Sequence, residues 1–214
     1  MNNEFKFDVK IKRPEEIYEK ASEYFNGDIL NQYANSKSMR KIQQKITLRA
    51  LELMNFSIKV PLILDAGCGP GFASMLLKEM GYRVVGLDII FNFLHHYEIN
   101  DLNPINADMC LAPFKPNTFD GIVSISALQW IFKDITNKNM RIDLINLITL
   151  FYSILRSNSN AVIQFYPKND EIMDTIGKIV AENTNFEGQY IIDNPQNPRK
   201  RRIFLVLEKK PEIM

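Results

Sequence analysis

Five of the chain's nine glycines, Gly67, Gly69, Gly71, Gly81 and Gly86, fall within one stretch of 20 residues. A chain of 214 residues that holds glycine at about half its usual frequency concentrates it where the backbone must do what other residues cannot. The segment LDAGCGPGF (64–72) follows an apolar run and precedes a helix-like one. There a sharp turn presents backbone N–H groups to a ligand at a helix N-terminus. Its spacing (Asp65, Gly67, Gly69, Gly71) differs from the G-x-G-x-x-G of dinucleotide sites, and the acid stands ahead of the glycines. A carboxylate in that position serves an anionic phosphate badly and an ammonium group well. Asp88 lies 17 residues beyond Gly71, at the end of the next apolar run, placed to accept both hydroxyls of a ribose. Asp108 ends a third short segment 20 residues further on.

The turn with Asp65 and Asp88 describes a nucleoside with a cationic amino-acid arm and no pyrophosphate. S-adenosylmethionine has that chemistry and is the expected cofactor. Its candidate contacts are Asp65, Gly67, Cys68, Gly69, Gly71, Asp88, Ile89 and Ser124. No metal is expected: Cys68 and Cys110 cannot make a four-cysteine zinc site and read best as small packing residues. The adjacent His95 and His96 point different ways on a helix and suit the surface. The segment SISALQWIF (124–132) offers no carboxylate to deprotonate an acceptor hydroxyl. An acceptor without a proton to lose fits that lack. Guanine N7 carries an in-plane lone pair, so catalysis reduces to holding it in line with the sulfonium methyl. Such a pocket needs a stacking surface and a few hydrogen bonds to the base. Gln129 and Trp130, and Phe165, Tyr166 and Pro167 after the following strand, flank the expected methyl position. Gln129, Trp130 and Tyr166 are the candidates for positioning the base. A single tryptophan at a strand end also serves as ordinary core, and both readings of Trp130 stay open.

The elements that must hold these residues follow from periodicity. VPLILDAG (60–67), YRVVGLD (82–88), FDGIVSIS (119–126) and NAVIQFY (160–166) read as buried parallel strands, with a short strand around 104–107. GQYIID (188–193) and RRIFLVLEK (201–209) read as two closing strands. Helices are expected over 72–80, ended by Gly81, and over 91–99. Two more are marked by Met140 to Leu155 and by Ile172, Ile176, Ile179 and Val180, and one over 37–55 precedes the first strand. Alternating strands and helices predict an α/β, Rossmann-like seven-stranded sheet, mostly parallel, with an antiparallel last strand and helices on both faces. The expected organisation is an N-terminal helical extension (1–58) packed on a core domain (59–214), as a single structural unit.

Composition narrows the class. Hydrophobic residues make up 46% and charged residues 24%, which suits a globular domain rather than disorder. No apolar stretch approaches the roughly 18 residues of a membrane-spanning helix, so no membrane partner is expected. The N-terminus lacks a signal-peptide core, and two cysteines make no disulfide framework, so the expected compartment is the cytoplasm. The net charge of +1 conceals a division: +3 over residues 1–50, −6 over 51–194 and +4 over 195–214. Basic ends around an acidic middle suit a body that binds a cationic ligand while its ends touch a polyanion. Lys37, Lys41, Lys45 and Arg49 recur every four residues opposite Ile42, Ile46 and Leu53, and Arg199-Lys200-Arg201-Arg202 forms a second basic run. RNA contact through Lys37, Lys41, Lys45, Arg199, Lys200 and Arg201 is one reading. An ordinary solvated face is the other.

The glycine loop with Asp88 and the segment ADM (107–109) resembles the cofactor motifs of class I S-adenosylmethionine-dependent methyltransferases. The resemblance implies Asp88 on the ribose, Asp108 on the adenine amino group and the next backbone N–H, that of Met109, on a ring nitrogen. The Asn/Asp-Pro-Pro-Tyr/Phe motif of exocyclic-amine methylation and the Pro-Cys or Thr-Cys of cytosine-C5 enzymes are absent. More of the chain resembles one family. KIQQKITLRALELM (41–54), LDAGCGPG (64–71), SISALQWI (124–131) and QFYPKNDEIMD (164–174) are similar to segments of the small-subunit (18S-type) rRNA guanine-N7 methyltransferases. YPKND (166–170) is the most specific of these. The likeness implies guanine N7 of ribosomal RNA or the small ribosomal subunit as substrate. It also implies a small zinc-binding activator protein pairing with the sheet edge near 104–107. The family's eukaryotic members carry a longer basic tail, so the resemblance is to a compact, archaeal-like version. Two alternatives are a small-molecule methyltransferase and a ribosome-assembly factor for which methylation is secondary.

Overall fold

The computed structural model describes residues 12–97 and 104–211. The chain begins with three short helices, α1 (Pro14–Ile17), α2 (Ala21–Tyr24) and α3 (Gly27–Ala34), followed by the longer α4 (Lys37–Glu52). Strand β1 (Leu62–Ala66), α5 (Phe72–Glu79), β2 (Arg83–Asp88), α6 (Phe91–Leu94) and β3 (Ile105–Asn106) come next. Then follow β4 (Gly121–Ile125), α7 (Leu128–Ile131), α8 (Lys138–Ile154), β5 (Ser159–Phe165), α9 (Asp170–Asn183), β6 (Phe186–Asp193) and β7 (Arg202–Lys209).

Among the described residues the strands form one seven-stranded sheet in the order β3-β2-β1-β4-β5-β7-β6. The pairs β1–β2, β1–β4, β2–β3 and β4–β5 are parallel, and β7 runs antiparallel to both β5 and β6. The antiparallel last strand is the expected one, and its position between β5 and β6 lets a short connection serve it. The chain winds outward from β1 through β2 to β3, then returns to start β4 on the other side. That reversal opens a crevice beyond the carboxyl ends of β1 and β4, where ligands of such sheets bind.

Alternate residues of the central strands face opposite layers. Leu64, Ile122 and Ile163 join α8 and α9 through Leu144, Leu147, Phe151 and Ile176. Ile63, Val123 and Val162 join α4 and α5 through Ile46, Ala50 and Leu77. Both strand faces are therefore covered, which is why every residue of β4 and β5 is buried. The long helices start where side chains cap them: Ser36 accepts from Met39 N–H, Asn137 from Asn139 and Met140 N–H, and Asn169 from Ile172 N–H.

Three expectations are corrected. The buried face of α4 is Gln43, Ile46, Thr47 and Ala50; Ile42 is exposed, because this end of the helix overhangs the sheet's crevice rather than its core. The helix expected over 91–99 ends at Leu94, with turns to Tyr97, and residues 98 and 99 lie outside the described residues. The helices α1, α2, α3 and α7 were not anticipated. Residues 1–11 of the expected N-terminal extension also lie outside the described residues.

Candidate functional site

The glycine loop joins β1 to α5. Gly67, Gly69 and Gly71 all have positive φ, at 77°, 52° and 85°. A Cβ on Gly67 would lie 2.5 Å from the Cβ of Ala127, and one on Gly71 2.8 Å from the Tyr97 ring, so neither place admits a side chain. Asp88 fixes the loop from the end of β2. One carboxylate oxygen accepts from Gly69 N–H at 2.8 Å and the other from Ile90 N–H at 2.8 Å. Each oxygen keeps a further lone pair for a ligand. Beneath the loop Asp65 is 1% exposed and accepts from the Ser74 hydroxyl at 2.6 Å, which also meets the Tyr97 hydroxyl at 2.9 Å. Burial, with the charge of Asp88 adding to it, pushes the Asp65 carboxyl up to about 7.

A cavity of about 280 Å³ opens above this loop. Asp65, Gly67, Cys68, Gly69, Asp88, Ile89, Asp108 and Met109 line it, as expected from sequence. Gly71 turns away toward Tyr97, and Ser124 is buried within β4 beside Ile163, so neither borders the cavity. Ser126 takes the place expected of Ser124. It stands just past the strand in a left-handed conformation, φ 59°, which re-aims the chain into the crevice. Phe93 borders the cavity, whereas Phe91 lies on the surface against His95. Asp108 accepts from Cys110 N–H at 2.8 Å. Burial raises the thiols of both Cys68 and Cys110, which suits inert packing.

A second cavity of about 540 Å³ adjoins the first, sharing Phe25, Tyr33, Gln43, Ser126 and Trp130. Gln129, Trp130 and Tyr166 all line it. Trp130 is a partly exposed wall rather than deep core; Tyr24 stacks on it with ring centres 6.2 Å apart. Ser126 is the hub of the wall. It donates to Gln164 Oε1 at 2.9 Å, and its carbonyl accepts from Gln129 Nε2 at 2.9 Å. Arg13 lies over the Tyr166 ring at 5.2 Å and donates to the Tyr166 carbonyl at 3.1 Å. Sequence reasoning missed Arg13, Tyr24, Phe25, Tyr33 and Ser126. The aromatic residues crowding 18–33 were the available signal.

The basic residues divide. Arg199 and Arg201 line the second cavity, and Lys200 is exposed in the same β6–β7 connection. Lys37, Lys41 and Lys45 are exposed on α4. Arg49 leaves the stripe: it forms a two-pronged pair with Asp193 and another with Glu52. The two cavities thus differ in charge. Asp65, Asp88, Asp108, Asp143 and Glu19 outnumber Lys20 around the first, and Arg13, Arg199, Arg201 and Arg202 outnumber Glu15 around the second.

A family profile described as a methyltransferase domain matches residues 64–142. The fold is that of phosphoethanolamine N-methyltransferase 2 of Haemonchus contortus in complex with S-adenosyl-L-methionine. That match has a TM-score of 0.62 at 16% identity, over 86% of this chain and 60% of that one. The chain is 33% identical over 211 residues to the 18S rRNA (guanine-N(7))-methyltransferase bud23 of Schizosaccharomyces pombe, covering 92% of itself and 75% of that protein. It is 34% identical over 195 residues to the 18S rRNA (guanine(1575)-N(7))-methyltransferase of Saccharomyces cerevisiae, covering 87% of itself and 69% of that protein. The chain belongs to the 18S rRNA (guanine-N7)-methyltransferase family. It is an S-adenosylmethionine-dependent methyltransferase, and the acid-lined first cavity fits that cationic cofactor. Among the described residues no helix of this methyltransferase is long and apolar enough to cross a membrane, and no His/Cys/Asp/Glu cluster fits a metal.

The raised Asp65 carboxyl sets a pH dependence. A cationic amino-acid arm favours its ionised form, so binding below pH 7 must displace a proton. Affinity for S-adenosylhomocysteine is expected to fall as pH drops from 7 to 5.5, approaching tenfold per unit. Titration calorimetry at several pH values checks this. A flat profile for the parent, or an unaltered slope in Asp65→Asn, contradicts it.

Proposed function

We propose that this methyltransferase transfers a methyl group to N7 of a guanine in small-subunit ribosomal RNA. The observation that carries the reading is the pair of adjoining cavities of opposite charge. The acidic one suits a sulfonium nucleoside; the arginine-rimmed, aromatic one suits a base on a polyanion. In this reading Asp88 takes the ribose hydroxyls, Asp108 and the Met109 N–H take the adenine, and Gly67, Cys68, Gly69 and Ile89 complete the cradle. Bound S-adenosylmethionine supplies an electrophilic methyl on a cationic sulfur; the guanine N7 lone pair forms the new bond while the C–S pair stays on sulfur. The positive charge moves to the purine and no proton leaves. The side chains that border both cavities accordingly include no residue in the role of general base. Trp130 and Tyr166 present faces for stacking, Gln129 fixes the edge of the base, and rate comes from alignment.

Three outcomes test this reading. The purified protein with S-adenosylmethionine is expected to methylate small ribosomal subunits from cells lacking it, with cleavage chemistry mapping the product to guanine N7. A product at any other atom, or a labelled small metabolite instead of RNA, rejects the acceptor. Arg199, Lys200 and Arg201, with Lys37, Lys41 and Lys45, are proposed as phosphate contacts. Reversing the charge of Arg199 and Arg201 is expected to weaken RNA binding severalfold and to reduce its salt slope by one to two. An unchanged slope removes them from the footprint.

The partner proposed for the other end of the sheet is a small zinc-binding activator protein. Support comes from β3, a two-residue edge strand whose Ile105 and Asn106 are both exposed. Phe91, in the helix after β2, is 59% exposed, and Leu111, shortly after β3, is 70% exposed. An added strand would satisfy that edge and cover the apolar side chains. Co-expression with the activator is expected to raise the melting temperature and tighten S-adenosylmethionine binding; equal values with and without it overturn the pairing.

A further inference from the structure

Among the described residues, two buried side-chain oxygens have no hydrogen-bond partner: Glu15 Oε1 and Gln129 Oε1. Both residues are more than nine-tenths buried, at 8% and 5% exposure. Both border the second cavity and a smaller one of about 190 Å³ beside it, and neither borders the acid-lined first cavity. The orientation of the Gln129 amide is fixed. Its nitrogen donates to the Ser126 carbonyl at 2.9 Å, and the flipped amide would set oxygen against oxygen. What Gln129 offers is therefore an acceptor. An ionised Glu15 is also acceptor only, so the two cannot satisfy each other. Leaving such groups buried and unpaired is costly unless a ligand brings donors. Burial raises the Glu15 carboxyl above its ordinary range, with Arg13 and Lys133 among the charges that oppose the shift.

We propose that Glu15 and Gln129 read the Watson–Crick edge of the acceptor base and select guanine by its two adjacent donors, N1–H and the N2 amino group. The inference rests on the guanine reading above and extends it to specificity. Adenine presents N1 as an acceptor at the position where guanine has N1–H, which would face these oxygens with repulsion. N7 lies on the far side of the purine from N1 and N2. Glu15 and Gln129 border the second cavity and not the first, and Ser126 and Tyr33 border both, so a base whose N1/N2 edge met Glu15 and Gln129 would carry N7 on its opposite side. Methylation then makes the purine cationic, which strengthens its hydrogen bond to the Glu15 carboxylate. That interaction is tighter in the transition state than in the ground state.

The protein's sole tryptophan, Trp130, borders the cavity and supplies the signal. With S-adenosylhomocysteine saturating, guanosine 5′-monophosphate is expected to quench its fluorescence. The inosine nucleotide, which lacks N2, should bind about tenfold more weakly, and the adenosine nucleotide more weakly still. The isosteric Glu15→Gln and the variant Gln129→Leu should each lose guanosine monophosphate affinity tenfold or more. S-adenosylhomocysteine affinity, which reports the intact fold, should hold at the parent value. The proposal is overturned by equal binding of the three nucleotides, by no binding of guanosine monophosphate at millimolar concentration, or by parent-like affinity in Glu15→Gln. None of these readouts requires turnover. A parent enzyme that marks another atom on the small subunit defeats the acceptor assignment separately, while these affinities still decide the role of Glu15.

Discussion

The carboxylate of Asp88 holds the structure's functional end together. Its two oxygens receive N–H groups from the glycine loop and from the chain leaving β2. Three left-handed glycines would otherwise have many conformations open to them. One acid at a strand end thus makes a turn of high entropy into a fixed cradle. Asp65, Ser74 and Tyr97 brace the same turn from below through contacts that are themselves buried.

Above the sheet, the chain ahead of β1 builds what the sheet cannot. Phe25 packs against Tyr33, Phe93 and Trp130, with ring centres 5.1–5.9 Å apart, and joins the short helices to α6 and α7. Lys133 donates to the carbonyls of Tyr18 and Glu19 at 2.6 and 2.9 Å, tying the segment down from the other side. Helices of four residues have almost no stability of their own. Their order comes from these aromatic and polar contacts. The same contacts bring a buried carboxylate, Glu15, to the second cavity.

Much of this was legible in the residues. Parallel strands declare themselves because both faces are covered, as in β4 and β5, and the long helices because Leu144, Leu147, Phe151 and Ile154 repeat every three to four positions. The glycine loop and its acids were legible because few other residues permit that turn. Ser126, rather than the expected Ser124, borders the crevice because a single left-handed residue after a strand changes which side chain faces it. Glu15 was invisible: nothing local distinguishes it from the neighbouring Glu16, and its burial is decided by α1 lying against Tyr166. Arg49 looked like part of a cationic stripe because its partner, Asp193, is 144 residues away in sequence.

One feature of the shared wall bears on how the enzyme can change over time. Phe25, Tyr33, Gln43, Ser126 and Trp130 each touch both hollows. A substitution at any of them alters both cavities together, so replacements there combine non-additively. Exposed positions that border neither hollow can change one at a time. The dividing partition, in contrast, is expected to evolve as a block, each compensating exchange constrained by two ligands rather than one.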